Sequence, residues 1–359
     1  MEIKEGYLEL QRTLKNAVVA SEVSGIPAED RAHVLQTALS IYPEVKKWVS
    51  EFPIILPQRI AATCLVTTAM MPYAQVSTIV DETILGLILF AEDDIVDCAI
   101  ANTLTDEQID ATLTLFARIA KSGGNTTYRD YPDLICLFPT INDEQPWVQV
   151  ANSWTKFCQK LQKYPSAVLY YEFFAKHVEL AMEAQRIEIL HWWPTYKKTG
   201  ACQTYDQYLE NARLTILLSI NLSSLLVMLG EPVNSEYSLP APYTNLEELL
   251  DELILTASSG VRLAQDLRSF ERERTLQQPG SNSLLTLMKT CGLSEKEAEA
   301  FVIKEIDTYL QKIEAPISLL PSSLSVWGDA VRRVCWAAYH FYLTTEFHHF
   351  TKEMLAALH

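Results

Sequence analysis

Residues 90–100, FAEDDIVDCAI, place Glu92, Asp93, Asp94 and Asp97 directly after the apolar run ILGLIL at 84–89. Packing gives no reason to collect carboxylates there, because unpaired charges at the end of a core helix repel one another and are costly to desolvate. On a helix, residues i and i+4 share a face, so Asp93 and Asp97 address one point in space. Oxygen ligands with no nearby His or Cys suit a hard ion such as Mg²⁺. A calcium-binding EF-hand is excluded, since Cys98 stands where its loop needs glycine and Leu104 where it needs a bidentate glutamate.

A second stretch, VRLAQDLRSFERERTLQQPGSNSLLTL at 261–287, changes the weight of the first. At about 100° per residue, Gln265, Ser269 and Glu273 fall within about 80° of one another, and Asp266 widens the arc to about 100°. An amide oxygen, a hydroxyl and a carboxylate then line one helix face, again an oxygen-only set. Arg262, Arg268, Arg272 and Arg274 surround them. Taken alone, the stretch reads better as a solvated helix laced with i, i+4 ion pairs.

Together, DDIVD after an apolar helix and QDLRSFERE far downstream resemble the class I terpene synthases. The resemblance runs from about residue 84 to the C-terminus. It implies an all-α helical bundle in which both motifs hold three Mg²⁺ ions and those ions hold a prenyl diphosphate. Carried over by position, Asp93 resembles the principal aspartate ligand, completed by Asp94 and Asp97. Gln265, Ser269 and Glu273 match the second metal motif, Arg272 its diphosphate-contacting basic residue, and Gly280 and Asn282 its continuation. Arg213, in YLENARLT, resembles the diphosphate-sensing arginine. With Asp93 it makes up the expected catalytic pair.

The chain departs from the family pattern at three places. Gln265 stands where the family has Asn or Asp, which leaves Asp266 as a rival ligand. Ile216–Leu217 replace the small glycine-containing pattern after the sensor. The C-terminal Arg-Tyr pair is missing, and His348 and His349 in FYLTTEFHHF take its position as diphosphate contacts.

The elements that must position these residues read as helices. The chain of 359 residues is 48% hydrophobic and 10% aromatic, enough for a packed core. Glycines are few, sustained alternation is absent, and Thr105–Gln108, Thr244–Glu247 and Ser294–Glu297 match the capping box of helix starts. Turn-rich breaks at 123–133, 192–200, 230–243, 277–282 and 315–323 separate segments of several turns. The expectation is one all-α domain, residues 1–359, of roughly ten helices. The run LTILLSINLSSLLVML at 214–229 is shorter than the roughly 20 residues of a membrane span and carries polar side chains, so it reads as a core helix.

A net charge of −16 and a pI of about 4.9 argue against nucleic acid or an anionic membrane as partner. An anionic ligand in so acidic a chain needs metal ions as intermediaries. Seven scattered cysteines without CxxC spacing read as buried thiols of a cytoplasmic protein.

The resemblance therefore implies Mg²⁺-dependent ionisation of an allylic prenyl diphosphate, cyclisation of the carbocation and release of diphosphate. Geranylgeranyl diphosphate is slightly favoured over farnesyl diphosphate, because the chain is somewhat long for the bacterial-type members it resembles. A homodimer is among the states the resemblance allows. A chain-elongating prenyltransferase would show a second DDxxD, and a squalene-type synthase paired DxxxD motifs. Neither is present. A competing constellation is Glu188–His191 with Glu346–His349, two E-x-x-H motifs that a ferritin-like di-iron oxidase would complete with Glu92 and Glu210. It explains neither acidic motif, and Trp192–Trp193–Pro194 is expected to end the helix of His191. A non-catalytic isoprenoid-binding helical protein is the third reading, kept open by Gln265 and the missing Arg-Tyr pair.

Overall fold

Residues 26–97, 104–138, 141–234, 237–239, 241–275 and 282–344 are described by the computed structural model, and no strand occurs among them. In α1 (Arg31–Val49) the buried residues Val34, Ala38, Ile41, Tyr42 and Val45 recur at helical spacing and face the core. A 3₁₀ turn at Pro57–Arg59 leads into α2 (Ile60–Met70). The apolar run and the first acidic motif share one continuous helix, α3 (Val76–Asp97). The start of α4 (Asp106–Lys121) is the expected capping box, in which Thr105 and Gln108 each bond the other's backbone N–H. Pro146 opens α5 (Pro146–Leu161), a position where its missing N–H costs nothing.

α6 (Ala167–Ile187) runs through a π-helical turn at Glu188–Trp192 into α7 (Trp193–Thr199). This corrects the expected stop at Trp192–Pro194. Pro194 falls in the first turn of α7, where its ring clashes with no preceding carbonyl of that helix, and the chain stays helical to Thr199. α8 (Tyr205–Thr215) and α9 (Leu218–Leu229) meet at a 45° bend. The longest helix, α10 (Leu246–Thr275), starts one residue later than its sequence box suggests. The Asn245 side chain accepts the Glu248 N–H at 3.0 Å, and the Glu248 carboxylate receives the Thr244 N–H and hydroxyl, each at 2.7 Å. α11 (Ser283–Thr290), α12 (Glu295–Lys312) and α13 (Ser325–Thr344) complete the longer helices, with the expected Ser294–Glu297 box opening α12.

α9 is the central post, packed on α3, α6 and α10. Leu222, Leu225, Leu226 and Val227 are fully buried there, so the apolar run at 214–229 is mostly core, but it is broken at Ile216–Leu217 instead of forming the single helix expected. Among the described residues no single helix is long and apolar enough to cross a membrane. Around the post, α3 packs on α1, α2 and α5, while α10 packs on α8, α12 and α13. Six cysteines are described, all free. Cys64, Cys158 and Cys335 are buried as expected, but Cys136 and Cys291 are exposed.

Candidate active site

A single cavity gathers one face of α3 and one face of α10. From α3 come Glu82, Gly86, Leu89, Phe90, Asp93 and Val96, the stripe that a straight helix presents to one side. From α10 come Val261, Arg262, Gln265, Arg272 and Glu273. The remaining wall is supplied by α2, the end of α6, the π-turn, the start of α7, the α8–α9 break and α13. Of the aromatics in the sequence, Phe90, Trp193, Phe341 and Tyr342 line it. Trp147, Trp154, Phe157 and Phe174 pack against other rings in the core instead.

On the α3 side, half-buried Asp93 faces the cavity. Burial and the adjacent Asp94 push its pKa up to about 6, with the Arg59 and Arg262 charges opposing. Asp94 is engaged elsewhere. Arg59, from the turn before α2, donates to both of its oxygens at 2.8 Å and to the Phe90 carbonyl at 3.0 Å. This planar fork is the geometry in which Arg–carboxylate bonds are strongest. Sequence reasoning missed Arg59, whose only signal is a lone basic residue at the head of an apolar helix. Asp97 ends α3, and its side chain lies outside the described residues. Glu92 is buried against Gln185 Nε2 at 3.2 Å, and burial with the Asp93 charge beside it pushes it up to about 8.

On the α10 side, the two rivals separate cleanly. Gln265 lines the cavity with a buried Oε1 that has no hydrogen-bond partner. Asp266, fully buried, accepts the Tyr208 hydroxyl at 2.7 Å and the Ser283 N–H at 3.0 Å, and pairs with Arg262 Nε at 3.0 Å. The buried Ser269 hydroxyl donates back to the Gln265 carbonyl at 3.0 Å, and Ser269 is not among the lining residues. Glu273 lines the cavity and accepts from Asn282 Nδ2 at 2.9 Å and from Arg272 at 3.4 Å. Burial and the Asp266 charge push it up to about 7. Asn282 also caps α11, which ties the E…N continuation of the motif to a helix start. The Arg262 charge acts on both Asp93 and Glu273 and so joins the two sides.

Arg213 is not brought to this cavity. Its Nε is buried without a partner, and its charge acts on Tyr309 of α12. Ile216 and Leu217 do line the cavity, and the helix breaks there with Leu217 at φ 60°, a left-handed conformation that glycine adopts freely. Gly280, His348 and His349 lie outside the described residues.

The residues present fit divalent cations of the hard kind. Asp93, Gln265 and Glu273 offer oxygens only, and the Gln265 oxygen is buried with nothing to bond. They do not fit a di-iron centre. Glu188 lines the cavity, but His191 is exposed against Trp192 and Glu210 is exposed. Glu346 and His349 lie outside the described residues. Among the described residues no three His, Cys, Asp or Glu side chains converge as a metal cluster.

Fold and site together define an all-α protein with two oxygen-rich helix faces meeting across a partly aromatic cavity. The description "Terpene synthase family 2, C-terminal metal binding" belongs to the family model that matches residues 87–312, more than half of the chain, and the chain is a member of that family. It is a terpene synthase, and its family binds metal. Solved structures agree on the fold. A single-substitution variant of cucumene synthase superposes with a TM-score of 0.64 at 14% identity, over 86% of this chain and 96% of that one. A linalool/nerolidol synthase from Streptomyces clavuligerus gives 0.56 at 14% identity, over 84% and 94%. The latter enzyme in complex with 2-fluorogeranyl diphosphate gives 0.56 at 15% identity, over 85% and 94%. No curated protein sequence matches the chain.

Proposed function

We propose that the chain is a class I terpene cyclase that ionises an allylic prenyl diphosphate, cyclises the carbocation and releases diphosphate. The observation that carries this reading is the placement of Asp93 on one side of the cavity and of Gln265 and Glu273 on another, with aromatic and aliphatic lining beyond them. The related linalool/nerolidol synthase, seen with a fluorinated geranyl diphosphate, supports the substrate class. Mg²⁺ ions, three by the family pattern, would be held by Asp93, Gln265 and Glu273 and would neutralise the diphosphate so that it can leave.

The side chains do the rest. Arg272 and Arg262 donate to the departing oxygens from α10, and stay charged while doing so. In this reading they take the place assigned by sequence to Arg213. Gln265 holds the ligand position that Asp266, committed to Arg262 and Tyr208, leaves to it. Phe90, Trp193, Phe341 and Tyr342 keep water from the cation and offer it their ring faces. We take residues 1–359 as one catalytic domain and the cytoplasm as its setting, and we favour geranylgeranyl over farnesyl diphosphate.

Incubation with geranyl, farnesyl and geranylgeranyl diphosphate plus Mg²⁺, followed by gas chromatography of the extract, tests this directly. A cyclic terpene from the C20 substrate is the expected outcome. Linear alcohols alone, or stoichiometric iron in the purified protein, would count against it.

A further inference from the structure

Glu82 is a charged residue type in the wrong place for charge. It lies on the same face of α3 as Asp93 but about 16 Å down the helix axis, away from the ionic end of the cavity that it helps to line. Only 1% of its surface is exposed. Oε2 accepts the Ser224 hydroxyl from α9 at 2.7 Å, while Oε1 is buried with no hydrogen-bond partner. Among the described residues no basic side chain pairs with it. The neighbouring Asp81 is engaged with Lys160 of α5 and with Tyr164 in the turn beyond it. Burial pushes Glu82 up to about 8, so at neutral pH it is a carboxylic acid rather than a carboxylate.

A structural tie between α3 and α9 accounts for one of the two oxygens. Glutamine would make the same bond to Ser224 without the cost of a buried ionisable group. The unpartnered oxygen at a cavity wall needs another reason, and a perturbed acid in a cleft is a recognised mark of chemistry.

We propose that Glu82 is a catalytic acid–base of the cyclisation, returning a proton to a neutral cyclised intermediate and then removing one from the carbocation that results. This rests on the prenyl diphosphate reading above. In the first step the O–H bond of Glu82 breaks, and its proton forms a C–H bond using the electron pair of an intermediate's C=C. That leaves a carbocation and the Glu82 carboxylate, an ion pair held together strongly in a low-dielectric pocket. In the second step the carboxylate takes a proton from a carbon beside the cationic centre, and the released C–H pair becomes the new C=C. Glu82 ends as it began. The neutral intermediate itself forms when the first carbocation gives a proton to the departing diphosphate at the ionic end, so no further reactant is required.

The experiment is turnover of farnesyl and geranylgeranyl diphosphate with Mg²⁺ in D₂O, with diphosphate release and product mass read from the same reactions. The wild-type product should carry a single deuterium on carbon, because the Glu82 proton exchanges with solvent before each cycle. Glu82→Gln should shift the output to a less cyclised hydrocarbon without deuterium. Diphosphate release with an unlabelled wild-type product overturns the role of Glu82 and leaves the cyclase reading intact. The same labelled product from Glu82→Gln overturns it too. Absence of diphosphate release from the wild type with either substrate overturns both.

Discussion

The α3 and α10 sides of the cavity repeat one arrangement with different means. Each presents one open oxygen donor beside a carboxylate that is taken. On α3 the open donor is Asp93 and the engaged neighbour is Asp94, gripped by a guanidinium from outside the helix. On α10 the open donor is Gln265 and the engaged neighbour is Asp266, locked in a fully buried set with Arg262, Tyr208 and the Ser283 N–H. Spacing along a helix does not decide which donor stays open; the partners already bound to each carboxylate do. Asp94 stays partly exposed, whereas Asp266 is 0% exposed.

The largest effect should come from the open donor of α3. Asp93→Ala is expected to lower diphosphate release about 100-fold or more, because a ligand of the metal ions that would neutralise the leaving group is lost. Asp94→Asn should cost far less. Equal losses from both variants would break the distinction between open and engaged acids on α3.

Next comes Asp266. Its replacement by alanine strands Arg262 without its buried partner, which should destabilise the metal-free protein by about 3–5 kcal/mol in urea unfolding. Gln265→Leu should leave stability nearly unchanged and instead raise the Mg²⁺ concentration needed for turnover. If Asp266→Asn is stable yet inactive while Gln265→Leu is harmless, the roles on α10 are reversed.

A pH series sharpens the same contrast. Glu82 and Glu92 on α3 sit near 8 and Glu273 on α10 near 7, all above the usual 4.5. The folded state therefore binds more protons than the unfolded chain between those values, and stability falls as pH rises. The Tm of the metal-free protein should drop from pH 5 to about pH 8. Glu92→Gln should flatten that slope more than Glu273→Gln, since Glu273 has Arg272 beside it. A Tm that climbs over this range would contradict the assignment.

The smallest effect concerns the α8–α9 break. Leu217→Gly should be more stable than Leu217→Ala by about 1 kcal/mol, the reverse of the usual helical order, because only glycine is at ease at φ 60°. Both variants lose the same buried side chain apart from one methyl, so the difference isolates the backbone. Alanine matching or exceeding glycine in thermal unfolding would mean that the strain is absent.

What could be read in advance follows from range along the chain. The faces of α3 and α10 were legible because helical periodicity is local, and so were the caps at Thr105 and Ser294. The box at Thr244 slipped by a residue because Asn245 competes for the same role. Arg59 was invisible because it meets Asp94 from 35 residues away, and the fate of Asp266 was hidden because Tyr208 and Ser283 arrive from opposite directions. Arg213 looked like the diphosphate contact by position, but it is not among the residues that line the cavity. The helix beyond His191 continued because a π-turn absorbed the change of register that Pro194 was expected to turn into a stop. Glu82 drew no notice in the sequence, since one of two adjacent acids in the second turn of a helix looks like an ordinary solvated residue.

The central claim is that metal ions gathered between α3 and α10 release diphosphate from a prenyl chain. Diphosphate release from geranylgeranyl and farnesyl diphosphate, followed while Mg²⁺ is added, chelated and restored, tests it most directly. Turnover should rise with Mg²⁺, vanish in excess chelator and return when Mg²⁺ is resupplied. Turnover that continues undiminished in excess chelator, or that is absent with both substrates at every Mg²⁺ concentration, would contradict it.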